Sequence, residues 1–424
     1  MIAYLFQKLG YGVLVLLGVI TLVFFLFNLA PGDPVRNLVG ENASQETVAN
    51  MRRKFDLDLP VPARFVLYVN DLSPLAIHSS DSTSRAFFDQ QELSGFKILP
   101  VGKSWSVYLK SPYLKRSFLS DKSVAAIIGE VLPGTFVLAF VSIFLAMIVG
   151  LILGIFAALE KDTFWDRLIL FTSALGMAGP SFFVAMLVAW LGAIVWREQI
   201  ALPYSVLLYV ILLFFLLRKS TLKFGTLLIT RSWLLTLGLM VGVAGYFMLR
   251  GLPSSSFLRA SLVLPGTGLS MTGSLYGVDV WRGEFLDLRN MILPVITLMI
   301  RPLSVIVQLT RSSLLDVLQQ DFIRTARAKG LSEFDVIVRH GLRNALNPVI
   351  TAVSGWFASL LAGAIFVEFV FGWKGLGQQM FTAIENQDLP VVMGGVIVIS
   401  MAFVVINLLV DILYGWIDPR VRIS

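Results

Sequence analysis

Runs of about 20 largely apolar residues recur from one end of this chain to the other, and nothing else in the sequence limits its fold as strongly. A helix needs about that length to cross the hydrocarbon core of a bilayer, and within that core only helices and closed barrels satisfy their own backbone groups. Eight such runs fall at residues 9–29, 131–159, 168–196, 202–217, 232–249, 291–315, 346–370 and 390–414. The chain therefore reads as an all-α polytopic membrane protein of about eight spans. Composition agrees, because 56% of the 424 residues are hydrophobic and 14% are charged, against about half and about a quarter in a soluble domain. The run at 202–217 is short for a span. The alternative for it and 232–249 is a pair of buried helices inside a large external loop.

Lys and Arg in short loops set the orientation of such a bundle. The segment between 291–315 and 346–370 holds Arg324, Arg327, Lys329, Arg339 and Arg343, whereas the loop between the last two runs has only Lys374. The first segment is thus expected in the cytoplasm, which puts both termini inside and residues 31–123 outside. Arg218, Lys219 and Lys223 form a basic turn, consistent with a transmembrane hairpin over 202–249 that leaves the later orientations unchanged. The first run follows Lys8 and has no small-x-small cleavage site after it, so it reads as an uncleaved span. Three segments result: an N-terminal transmembrane helix at 1–30, an extracytoplasmic region at 31–123, and a membrane domain at 124–424. Between Ser73 and Leu99 the composition turns polar and Ser-rich around His78, which reads as a solvated loop insertion.

Several chemistries are poorly supported. With no cysteine, the chain has no disulfide, thiolate metal site or cysteine nucleophile. Its two histidines, His78 and His340, stand apart from any carboxylate cluster, so no metal site is expected. No Ser–His–Asp set, HExxH or paired-carboxylate pattern is present to support an enzyme. The net charge of +7 is accounted for by basic loops on one side of a membrane and gives no reason to expect nucleic acid. A secondary transporter would need coupling-ion residues at the midplane and often an inverted repeat, neither of which is clear. The nearest trace of a phosphate loop, Gly102-Lys103-Ser104, lacks its earlier glycine because Lys97 stands there.

The most informative local pattern runs from Leu315 to Pro348. Through Lys329 it is free of Pro and Gly and rich in helix formers, and Gly330 then stops the helix as a C′ glycine does. Ser332 reads as the N-cap of a second helix, with Asp335 three residues on, and Leu331 and Val336 occupy the positions of a hydrophobic staple. The product is a basic helix–turn–helix elbow without a run long enough to cross the membrane. On residues alone, it suits docking to a protein or resting on anionic lipid about equally.

The stretch Asp321-Phe322-Ile323-Arg324-Thr325-Ala326-Arg327-Ala328-Lys329-Gly330-Leu331-Ser332, followed by Arg339-His340-Gly341-Leu342-Arg343-Asn344-Ala345-Leu346-Asn347-Pro348, resembles the EAA loop of binding-protein-dependent ABC permeases in its dipeptide and oligopeptide version. Leu29-Ala30-Pro31-Gly32-Asp33-Pro34, Leu132-Pro133-Gly134-Thr135, Gly375-Leu376-Gly377, and Asn407-Leu408-Leu409-Val410-Asp411 through Asp418-Pro419-Arg420 resemble further family motifs. Arg324-Thr325-Ala326 stands where the generic loop reads Glu-Ala-Ala, as it does in peptide-type members. The hairpin 202–249 and the Ser-rich insertion do not map onto the family's six-span core.

The resemblance implies a permease subunit of an ATP-driven importer for peptides or similar small solutes, in the bacterial inner membrane. Nickel and sugar-derivative importers share the scaffold, so nickel or another small solute is the alternative for cargo. The coupling loop would cover 317–345, with Arg324, Thr325, Ala326, Arg327, Ala328, Lys329, Gly330, Leu331 and Ser332 against a cytoplasmic ATPase. The implied partners are a second homologous permease, two ATP-binding subunits that use ATP and Mg, and an extracytoplasmic solute-binding protein; this chain itself is expected to bind no cofactor. Ionisable groups within spans are costly and point to function, which makes Arg301 and Gln308 in the run 291–315 and Glu368 at the end of 346–370 the candidates for the translocation path. For Arg301 the alternative is a purely structural pairing with Glu368, and for Glu368 a helix cap at the interface.

Overall fold

The computed structural model of the chain describes residues 2–29, 34–40, 43–81, 84–89, 93–198, 200–203, 261–279 and 283–417. Its helices are, in chain order, α1 Ile2–Leu29, α2 Pro34–Val39, α3 Gln45–Lys54, α4 Val61–Leu72, α5 Val124–Leu159, α6 Phe164–Ala178, α7 Ser181–Ala189, α8 Ile292–Leu318, α9 Asp321–Ala328, α10 Arg343–Gly363, α11 Ile365–Val370, α12 Leu376–Glu385 and α13 Leu389–Ile417. Among the described residues, four segments are long and apolar enough to cross a membrane, at Gln7–Asn28, Val124–Leu159, Leu288–Leu318 and Leu389–Val410. A fifth is the pair Phe164–Ala178 and Ser181–Val195, bent by 110° at its break. Pro180 explains the bend. It disfavours helical backbone at the residue before it, and Gly179 there adopts φ −75°, ψ 135°.

Among the described residues, which hold six of the eight expected runs, four or five spans are found. The hairpin over 202–249 lies, from residue 204 on, outside the described residues. The run 346–370 is divided into α10 and α11, which meet at Ala364, and it is not among the spans found in the described residues. Pro348 lies inside α10, behind a first turn that carries Arg343 and Asn344.

The chain divides into two compact units, one comprising residues 1–144, 274–285 and 350–424, the other 145–273 and 286–349. In the first, Phe24 of α1, Tyr68 of α4 and Met393 of α13 form a buried cluster, and Phe24 and Tyr68 stack with ring centroids 5.6 Å apart. A second cluster joins Val124, Ile127 and Ile128 of α5 to Leu376 and Met380 of α12 and Val391 and Val392 of α13. Asp388 stitches the start of α13 to the segment that precedes α5, accepting from Ser117 Oγ at 2.5 Å and Phe118 N at 3.0 Å.

The Ser-rich stretch is not a solvated loop. It contributes β1 Leu75–Ser79 and β2 Gly95–Val101, which with β3 Trp105–Lys110 make an antiparallel sheet of order β1-β3-β2. His78 is buried there, edge-on to Phe88 and Tyr108, which stack 4.0 Å apart at 10°. The strand escaped a hydropathy reading because its alternation is inverted: Leu75 and Ile77 are exposed while Ala76 and His78 are inside. Gly102-Lys103-Ser104 forms the hairpin turn between β2 and β3, with Gly102 at φ 76°, whereas a phosphate loop leads from a strand into a helix. Two short strand pairs complete the sheets, β4 Ile200–Pro203 with β5 Ser261–Leu264 and β6 Tyr276–Asp279 with β7 Gly283–Leu286.

In the second unit, α8 is held at close range by glycines. A Cβ on Gly154 would stand 2.6 Å from Thr310 Cβ and 2.9 Å from Val307 O, and one on Gly176 would stand 2.5 Å from Ser304 Oγ. Small residues at such crossings are how membrane helices gain contact where no hydrophobic effect drives them together. The same contact is locked by Arg311 of α8, whose Nε and Nη2 donate to Asp166 of α6 at 2.5 and 2.6 Å.

Candidate functional site

The elbow forms as its sequence dictates, with one refinement. The helix α9 ends at Ala328, and Gly330 follows at φ 78°, a backbone region open to glycine at no steric cost. Ser332 caps the next turn, Glu333–Asp335, accepting from Asp335 N at 3.2 Å. From Val336 to Leu342 the chain is a π-helix before α10 begins, a wider winding that is uncommon and frequent at functional sites. Arg327 reaches across the glycine turn to Glu333, with Nε and Nη2 at 2.9 and 3.2 Å from its carboxylate oxygens.

What anchors the elbow is apolar. Ile323 and Ala326, three apart on α9 and so on one face, are buried with Leu314, Val317, Val336, Ala345 and Ala158. Ala326 is only 4% exposed, so of the nine residues expected at a docking surface it instead faces the protein's own core. Arg324, Thr325, Arg327, Ala328, Lys329, Gly330, Leu331 and Ser332 are all exposed. The staple does not shelter Leu331, which stays exposed while Val336 is buried. The outer face has a feature that the sequence reading missed. Phe322, Leu331 and Phe334 are exposed among the charges, Phe334 by 73%. Phe334 stands between Glu333 and Asp335, off the buried stripe, and that position was its only signal.

The three path candidates separate. Arg301, in the middle of α8, is exposed and among the described residues is in no ion pair. Gln308, two turns on, is half-buried, and its Nε2 lies 3.5 Å from Met177 Sδ. Glu368 is fully buried: its Oε2 accepts from Gly377 N at 2.6 Å and Gln378 N at 3.2 Å, at the start of α12. It therefore caps a helix N-terminus. A Cβ on Gly375 would fall 2.4 Å from that carboxylate, which is why glycine stands there. Beside it, Trp373 Nε1 donates to Gly134 O at 3.2 Å and Leu376 N to Thr135 Oγ1 at 2.7 Å. The motifs Leu132-Pro133-Gly134-Thr135 and Gly375-Leu376-Gly377 are thus two halves of one junction. Among the described residues, no group of three His, Cys, Asp or Glu could hold a metal ion.

Comparison with known proteins decides the class. Residues 150–423 match the model of the binding-protein-dependent transport system inner membrane component, and residues 1–82 match the N-terminal model of the same kind of membrane component. This chain belongs to that family. The permease is similar over its full length to the dipeptide transport system permease protein of Alkalihalophilus pseudofirmus, at 29% identity over 427 residues with 100% of each chain covered. It is 32% identical over 409 residues to the probable D,D-dipeptide transport system permease protein of Escherichia coli, covering 96% of this chain and 94% of that one. It is also 29% identical to the dipeptide transport system permease protein of Escherichia coli, over 100% of this chain and 99% of that one. The permease is accordingly a multi-pass inner-membrane subunit of an ABC transport system and not an enzyme.

Proposed function

We propose that the permease forms half of the path of an ATP-driven importer for dipeptides or solutes of similar size, and that the elbow from Asp321 to Leu342 couples it to a cytoplasmic ATPase. The observation that carries this reading is the build of the elbow. A lipid-resting helix would submerge its apolar face, whereas here Ile323 and Ala326 are buried in the protein and Phe334 projects from a capped, salt-bridged turn. Exposed aromatics amid charges on a rigid support, Phe334 the most exposed of them, are the form of an interface anchor. The partners would be a second homologous permease, two ATP-binding subunits that hold ATP and Mg, and an extracytoplasmic solute-binding protein. Both termini would lie in the cytoplasm and residues 31–123 outside.

Arg301 and Gln308 would contribute to the path. An arginine exposed on an apolar helix is too costly to face lipid, and the second permease or the solute stream offers it a polar surface. The test is uptake of a radiolabelled dipeptide into liposomes holding the assembled importer with ATP on the ATPase side. Phe334→Ser should abolish ATP-driven uptake while the permeases stay assembled. Uptake that runs on an ion gradient without ATP, or that is unchanged in Phe334→Ser, contradicts the proposal.

A further inference from the structure

The first unit contains a cavity of about 470 Å³ bounded by the outer end of α1, the segment from α3 to α4, the chain around Lys115, and the start of α13. That volume falls within the range of small-ligand sites, about 300–1,000 Å³. One wall is a face of α4, where Arg64, Tyr68 and Asp71 recur at the i, i+4, i+7 spacing that stacks side chains on one side of a helix.

The charges of the cavity are unevenly satisfied. Six Lys and Arg residues line it against four Asp. Asp56 already receives Arg85 at 2.8 Å and Lys115 at 3.2 Å, Asp71 receives Lys115 at 3.6 Å, and Asp121 receives Lys54 at 3.2 Å. Arg64 is left over. Among the described residues it is in no ion pair and its Nε is buried without a hydrogen-bond partner, and burial pulls the guanidinium below its ordinary pKa by more than the nearby Asp56 carboxylate raises it. One turn away, Tyr68 is 2% exposed and its Oη is also buried with no partner.

Buried polar groups are ordinarily paired, and two orphaned donors on one wall of a cavity call for an acceptor. The acceptor that suits a guanidinium is anionic, and carboxylate matches its fork. Phe55 and Phe118, 4.3 Å apart between ring centroids, also line the space, so an organic body fits better than a bare inorganic ion. We propose that this cavity is a binding site for a small organic carboxylate, its anionic oxygens taken by Arg64 and Tyr68 and its apolar part laid against Phe55 and Phe118. The site is separate from Arg301, Gln308 and the elbow, and stands whether or not those residues act as proposed above.

The experiment is calorimetric titration of the full-length permease in lipid nanodiscs with N-acetyl-phenylalanine and with its amide. The acid should bind saturably, one per chain, at least tenfold tighter than the amide. Arg64→Gln should weaken the acid at least tenfold. Tyr68→Phe, which removes only the hydroxyl, should weaken it by about tenfold or more, the worth of one hydrogen bond to a charged group, and decides the matter if Arg64→Gln lowers the melting temperature. Absence of saturable binding, equal binding of acid and amide, indifference to both substitutions, or displacement by inorganic phosphate at equal concentration each overturns the proposal.

Discussion

Replacing Asp166 by Asn should cost the permease about 3 kcal/mol, because of what it leaves behind. The Arg311 guanidinium donates twice to the Asp166 carboxylate at 2.5 and 2.6 Å, and Asp162 N donates to the same group at 2.9 Å. The Asp166 side chain is 2% exposed and that of Arg311 19%. Removing one partner of a buried pair strands the other charge at about 3–5 kcal/mol, and the partial exposure of Arg311 places this case at the lower end. Removing both charges is far cheaper. Asp166→Asn, Arg311→Met and the double variant, unfolded by denaturing detergent in mixed micelles, form a thermodynamic cycle. The double variant should be at least as stable as Asp166→Asn, giving a coupling of about 2 kcal/mol or more. Additivity to within about 0.5 kcal/mol would refute the claim that this pair locks α6 to α8.

Two further outcomes follow from local geometry. Gly330→Ala should destabilise the elbow by about 1–2 kcal/mol through backbone conformation alone, since nothing lies within 4 Å of the added Cβ; hydrogen exchange over 321–342 should quicken, and an unchanged rate would contradict the left-handed turn. Burial, then the nearby Lys110, push the His78 imidazole below its ordinary pKa, so the fold holds it neutral. Its contribution is present above the unfolded value near 6.5 and is lost as pH falls through that value toward the lower folded one. The melting temperature of the wild type should therefore fall more between pH 7.5 and 5 than that of His78→Gln, and equal falls would contradict it.

How much of this was legible in the sequence depended on whether the deciding interaction was local. Gly330 and Ser332 shape the elbow through backbone conformation and a cap three residues long, and both are found as read. The long apolar helices α1, α5, α8 and α13 are equally local in origin. By contrast, Asp166 and Arg311 are 145 residues apart, and each alone resembles an ordinary charge at a helix end. Glu368 looked like an interfacial or path residue because its partners, Gly377 N and Gln378 N, are backbone groups that carry no signature in sequence. The sheet around His78 was missed because it buries polar residues and exposes apolar ones. Ala326 shows the limit within the elbow itself: the motif marks the segment, but only packing shows which of its faces is turned inward.

The coupling assignment is tested most directly by disulfide-forming contacts from the elbow. The chain has no cysteine, so Ala328→Cys gives a single exposed thiol and Ala326→Cys a buried control on the same helix. In membranes containing the assembled transporter with single cysteines placed on the ATPase surface, Ala328→Cys should crosslink to the ATPase, with a yield that changes between nucleotide-free and ATP-bound states, and Ala326→Cys should not. Absence of any crosslink from Ala328, in either state and to every ATPase position tried, would contradict the account.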